Sequence, residues 1–219
     1  MSHTSNAPLT VIARDRLLLG MADAIVEHGY DQLTVVDVVR LARVSKRTFY
    51  EHFAGKEDCL VALYESNSAQ LIRTFKKAIE KASPELPRVT AGIEAYLTAL
   101  QSSPALVQTT IVEVLQAGPR GLAVRRLVSL QFAEILLREM QAVGSLGPEA
   151  PAIAMALVGG IHELLLQAIE EDRADQLSEL SEPINELLRP FVAPAAMRVR
   201  DARGEKRQLS RANGGRGRV

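Results

Sequence analysis

The chain has no tryptophan, a single cysteine and few aromatic residues of any kind, 4% in all. One cysteine excludes an internal disulfide and every zinc site built on cysteine pairs. Cys59 reads as a small buried hydrophobe rather than a redox sensor. The shortage of aromatic and alternating apolar positions argues against a β-sandwich. A secretory leader is missing too, since MSHTSNAPLTVIARDR has no basic start followed by an unbroken apolar run. The longest apolar stretch, AIAMALVGGIHELLLQAI at 152–169, is interrupted by His162, Glu163 and Gln167, which argues against a bilayer span. A soluble, cytoplasmic chain with no membrane contact is expected.

Catalytic signatures are also lacking. There is no P-loop, no G-x-S-x-G and no Rossmann glycine run. His162-Glu163 opens like a zinc-protease helix, but the second histidine that such a helix needs is Leu166. His3, His28, His52 and His162 are scattered, without metal-ligand spacing. No enzyme, no metal and no cofactor is expected.

Net charge is absent only in the sum, 26 bases against 26 acids in 219 residues. Arg40, Arg43, Lys46, Arg47 and Lys56 meet a single acid, Glu51. Residues 149–190 hold nine acids against Arg173 and Arg189, and residues 198–219 hold eight bases against Asp201 and Glu205. Local charge decides which surface a polyanion meets, so the bulk balance carries no information about partners.

Apolar residues recur at helical spacing almost throughout, and no strand or repeat is visible. Leu17, Leu18, Met21, Ala24 and Ile25 form a stripe that stops at Gly29. Thr34 caps a short helix to about Leu41 and Ser45 caps a second, which carries Phe49 and Phe53. Longer helices follow at about 56–82, 88–101, 104–116, 120–142, 150–171 and 174–191, separated by glycine and proline loops. The expected fold is all-α with about nine helices. The tail from about Pro194 is rich in Arg and Gly, without the apolar residues needed to offset the entropy of ordering.

Two short capped helices joined by Ala42-Arg43-Val44 have the size of a helix-turn-helix. Burial of Phe49 and Phe53, worth roughly 1.5–3 kcal/mol each, sends Lys46, Arg47, Thr48 and Tyr50 outward. Long cationic donors reach guanine edges or phosphate, a hydroxyl with a methyl suits thymine, and a phenol donates to phosphate. The surface that wants this mixture is double-stranded DNA, and one helix of this size calls for two copies on a duplex.

GYDQL at 29–33 and TVVDVVRLARVSKRTFYEHFAGKEDCLVALYE at 34–65 resemble the amino-terminal DNA-binding domain of the TetR family of transcriptional regulators. The resemblance covers about residues 14–65; beyond it only the helical layout is shared. It implies a flexible arm at 1–13, a DNA-binding domain at 14–55, and a helical effector-binding and dimerisation domain at 56–193. Residues 56–82 would form the connecting helix and 194–219 a basic disordered tail. It implies base readers at Lys46, Arg47, Thr48 and Glu51, and phosphate contacts from Thr34, Tyr50, His52 and Lys56. His52 reads equally as a helix-end hydrogen-bond donor to the main chain. Where the family commonly has glycine this chain has Arg43: either the turn avoids positive φ, or Arg43 offsets its strain by reaching phosphate, the reading adopted.

The segment 150–171 is apolar nearly all round, and Gly159-Gly160 allow a close approach of backbones. Leu157, Gly160, Leu164, Ile184 and Leu188 are the expected homodimer interface; the rival reading is the central helix of a monomer core. The resemblance also implies a pocket for a small-molecule effector, still unidentified, among helices 88–142, with Tyr96, Phe132, Leu136 and Met140 as lining. Glu113 reads as an exposed flank or as a buried acceptor for a cationic ligand, exposure being expected. A ligand-responsive repressor on a palindromic operator is the functional expectation. The alternative is a helical dimeric interaction module whose DNA binding has degenerated, or, behind it, an enzyme without visible signatures.

Overall fold

A computed structural model of the chain describes residues 7–83, 87–144 and 146–193. The described residues are helical, without strands, in the order expected. Helix α1 spans Ala7–His28 and ends at Gly29, whose φ of +71° is the left-handed geometry that suits a glycine at a helix stop. It starts within the segment expected as a flexible arm, because Pro8 in a first turn lacks only an N–H that would have no partner there. Residues 1–6 lie outside the described residues.

Helix α2 spans Val35–Ala42, and the carboxylate of Asp37 accepts from both the amide and the hydroxyl of Thr34 at its start. Helix α3 spans Lys46–His52, with Ser45 Oγ accepting from the amide of Thr48 at 3.0 Å. Helix α4, Lys56–Lys81, is 26 residues long, about 39 Å at the usual rise. Helix α5 follows at Arg88–Gln101.

The expected helix at 104–116 is the main departure. Only Pro104–Val107, α6, is α-helical; Gln108–Val112 widens into a π turn and Glu113–Ala117 tightens into a 3-10 turn. The β-branched run Thr109-Thr110-Ile111-Val112 crowds a helix, and both threonine hydroxyls bond back to the carbonyls of Ala105 and Leu106 four residues earlier. Helix α7 spans Gly118–Val143 and α8 spans Ala150–Glu170. The last expected helix also starts later than its pattern suggests. Asp172 takes a φ of +56° after α8, and a 3-10 turn at Leu177–Leu180 leads into α9, Ser181–Val192. The basic tail lies outside the described residues.

Two apolar clusters organise these elements. One gathers α1, α2, α3 and the start of α4, with Leu17, Met21, Ile25, Val38, Phe49 and Leu60 at its centre. The other packs the rest of α4 with α5, α7, α8 and α9. Helix α4 serves both, Cys59 to Leu63 facing the first and Tyr64 to Ile79 the second. Gly20 lets α1 and α2 touch: a Cβ there would lie 2.6 Å from the carbonyl oxygen of Val38.

Candidate nucleic-acid interface and effector cavity

Phe49 is wholly buried and Phe53 nearly so, their rings 5.7 Å apart. This pair fixes how α3 sits on the first cluster, and the helical period then delivers the polar face. Lys46, Arg47, Tyr50 and Glu51 are exposed, Tyr50 by 59% with its ring edge-on to Phe49 at 5.4 Å. Arg47 Nε donates to Glu51 Oε1 at 3.0 Å, so two expected base readers are paired with each other. Between such exposed groups the bond is worth less than about 1 kcal/mol and is readily exchanged. The Thr48 hydroxyl is 2.9 Å from that of Ser45, half-buried and engaged in the cap. His52 is half-buried, its ring 6.3 Å from that of Phe53.

Arg43 is exposed and has φ +53° and ψ +47°, so the turn does take the left-handed geometry. Its amide bonds back to the carbonyls of Arg40 and Val39, closing α2. Thr34 is exposed but its side chain is given to Asp37, and that bond, with the Thr34 amide, holds the Asp37 carboxyl below its ordinary value.

Lys56 corrects the sequence reading. Its ammonium donates to the carbonyls of Tyr30, Asp31 and Leu33 at 3.0, 3.4 and 3.2 Å, and lies 4.6 Å from the centre of the Tyr30 ring. Three carbonyls use all three donors, so this side chain ties the start of α4 to the turn between α1 and α2 rather than offering a charge to phosphate. In its place stand two cations that the sequence reading missed, Arg14 and Arg16 of α1. Both are exposed; Arg14 lies 5.7 Å from the centre of the Phe53 ring, and Arg16 Nη2 donates to the carbonyl of Arg43 at 2.7 Å. The basic pair in ARDR just before the apolar stripe was the available signal.

A cavity of about 430 Å³ opens between α4, α5, α7, α8 and α9. Tyr96, Phe132 and Leu136 line it as expected, joined by Phe75, Ile93 and Ile161. The ring of Phe132 meets those of Tyr96 and Phe75 edge-on at 5.5 and 5.7 Å. Met140 is packed in the core, not in the cavity wall. Glu113 is also corrected: it is buried, 7% exposed, outside this wall, and its carboxylate accepts from the amide of Gln116. The 3-10 turn rotates it inward where a continuous α-helix was assumed. His162, not among the expected pocket residues, stands in the cavity wall, and burial above all pushes its imidazole down to about 4. Burial likewise raises the Tyr96 phenol.

The expected dimer residues divide. Leu157, Ile184 and Leu188 are buried in this chain's own core, and Leu188 lines the cavity, so none is available to a partner. Gly160 and Leu164 are half-buried. The exposed face of α8 instead carries Ala152, Ala156, Gly159 and Glu163, and on α9 Leu187 is 40% exposed. The turn at 171–176 swings α9 so that Ile184 and Leu188 point back at α5 and α8. By length and composition α8 is apolar enough to cross a membrane, and here Ala154, Leu157, Val158, Ile161, Leu165 and Ala168 of it are buried in the second cluster.

Residues 21–63 match the family model of bacterial regulatory proteins of the tetR family. The chain is 24% identical over 174 residues to the fatty acid metabolism regulator protein of Bacillus subtilis, covering 76% of this chain and 88% of that one. It is 25% identical over 83 residues to the HTH-type transcriptional activator FasR of Mycolicibacterium smegmatis, 38% of each chain. Among solved structures it resembles FadR of Bacillus subtilis in complex with stearoyl-CoA, with TM-score 0.69 and 21% identity over 82% of this chain and 97% of that one. FadR of Bacillus halodurans also gives TM-score 0.69, with 19% identity over 80% and 96% of the two chains.

Proposed function

This chain is a transcriptional regulator whose amino-terminal domain is that of the TetR family of bacterial regulatory proteins, and from that premise we propose that it binds a two-fold symmetric operator as a homodimer and is released by an acyl-chain effector. The reading rests on one observation: Phe49 is buried while Lys46, Arg47 and Tyr50 on the same short helix are exposed. A helix so anchored presents its cations to a major groove, and the neighbouring Arg14, Arg16 and Arg43 add phosphate contacts along one edge. Lys46, Arg47 and Glu51 read bases, with Arg47 exchanging its partner Glu51 for a base edge. Tyr50 and His52 hold phosphate.

Residues 14–55 then form the DNA-binding domain and 56–193 the effector and dimer domain, with α4 running through both. The α8 and α9 faces around Gly159, Gly160 and Leu187 are the surface for the second copy. The effector is assigned from the cavity, whose wall is hydrocarbon and aromatic ring but for Tyr96 and His162, and from the stearoyl-CoA in the related FadR structure. Release is a shift between two dimer forms, limited by the effector's differential affinity for them, typically about 1–3 kcal/mol. Repression is the reading that such release supports.

The test selects bound fragments from random duplex DNA, then measures affinity for the selected site by fluorescence anisotropy with and without stearoyl-CoA. Two-fold symmetric fragments and a weaker complex with the ligand are expected. Affinity that does not respond to salt would instead support the interaction-module alternative.

A further inference from the structure

The imidazole of His162 stands in a wall shared by two spaces of different chemistry. On one side is the apolar cavity; on the other is a recess of about 330 Å³ bounded by Thr110, Ile111, Leu115, Arg125, Glu163 and Leu166. Leu115 is 48% exposed and Glu163 is exposed, so the recess opens to solvent. Its far wall is the π and 3-10 segment, a kind of irregularity that recurs at functional sites.

The recess carries a cation that the fold does not use. Arg125 of α7 is half-buried, and among the described residues it makes no ion pair or hydrogen bond, Glu163 included. Its charge acts on His162 and on the buried Tyr64. The Thr110 hydroxyl is already spent on the carbonyl of Leu106. A guanidinium partly withdrawn from water without a carboxylate is costly, and an anion entering the recess offsets that cost. At neutral pH burial keeps the imidazole uncharged, so it offers one donor and one acceptor at the boundary between the two spaces.

We propose that His162 and Arg125 read an amphiphilic effector along its length: the hydrocarbon chain fills the apolar cavity, the acyl carbonyl meets His162, and an anionic head group meets Arg125 with its remainder in solvent past Leu115. This rests on the acyl-effector reading above and adds the residues that select for a charged head. A free carboxylate and the phosphates of a coenzyme A ester share that chemistry.

The experiment titrates the full chain and the R125Q, R125K, H162L and H162Q variants with stearoyl-CoA, stearate and the uncharged octadecanol, by calorimetry below micelle formation. Octadecanol binds wild type and R125Q equally, whereas R125Q weakens whichever anionic ligand is native by roughly ten- to a hundred-fold and R125K by less. H162L weakens all three ligands, and H162Q restores part of the loss. The tighter of stearate and stearoyl-CoA identifies the head group. Wild-type affinity for the anionic ligand falls with salt while that for octadecanol does not, a readout that needs no variant. If R125Q binds both anionic ligands as wild type does, or if their binding ignores salt, this inference is overturned and the acyl-effector reading stands. If wild type binds none of the three, both are overturned.

Discussion

Arg16, on α1, donates through Nη2 to the main-chain carbonyl of Arg43 across 2.7 Å, so one cation holds the backbone on which another is displayed. That carbonyl belongs to the residue at φ +53° that closes α2 and opens the turn into α3. A side chain at such a φ costs about 1 kcal/mol relative to glycine. The chain retains an arginine there, at the edge of the exposed α3 face.

Replacing it separates strain from charge. Arg43→Gly is expected to raise Tm by about 2–4 °C, the usual shift for about 1 kcal/mol in a chain of this size. The same variant loses affinity for the operator, and its log affinity falls less steeply with log salt, by about 0.9 for one phosphate contact. Thermal melts and anisotropy titrations at three salt concentrations check both halves. An unchanged salt slope rules out a phosphate role for Arg43.

Lys56 is expected to behave in the opposite way. Lys56→Met removes the donor shared by the carbonyls of Tyr30, Asp31 and Leu33, and should lower stability by about 1–3 kcal/mol. The salt slope of DNA binding should not move. Urea unfolding and the same salt series distinguish the two effects, and a flattened slope with normal stability would return Lys56 to the phosphate contacts.

Asp58 at the start of α4 accepts from the amide of Ala54 and pairs with Arg120 at the start of α7. The Arg120 guanidinium first, then the Ala54 amide, hold its carboxyl below the usual carboxylate range. A depressed carboxylate contributes stability in full above its unfolded value of about 3.9 and loses it as pH falls through the folded value. Urea midpoints taken from pH 6 to pH 2 should show wild type falling more steeply than Asp58→Asn, the two converging at the acid end. Asp37 and Glu171, also depressed, are common to both proteins and cancel in the difference.

Gly20→Ala is expected to destabilise by about 1–3 kcal/mol, because the new methyl must push against main-chain atoms of Val38 and Ala42 rather than a flexible side chain. DNA affinity should fall with it, since the displaced helix α2 carries the turn at Arg43. A variant as stable as wild type would mean that α1 and α2 sit farther apart than described here.

Much of the interface was legible because its determinants are local. Ser45 three residues before Thr48, and Phe49 four before Phe53, specify a capped helix and its buried side within nine residues, and the outward set follows from the helical period. The cavity was legible only in part. Tyr96, Phe132 and Leu136 are large residues on inward faces, but His162 was read for metal-ligand spacing and rejected, although its place in the wall depends on how α8 meets α4 and α5. Glu113 was misread because a π turn and a 3-10 turn change the rotation per residue just before it.

The sequence by itself determined where helices begin and end and which face of α3 is polar, since caps, glycine stops and apolar spacing act between residues a turn or two apart. Tertiary structure alone decided which polar groups remain free to act. The Lys56 ammonium is spent on carbonyls 23 to 26 positions earlier, Ile184 and Leu188 are turned into the chain's own core, and Arg125 keeps its charge beside an open recess. Whether a donor is used or left over depends on which distant acceptors the packing brings to it, and no local pattern encodes that.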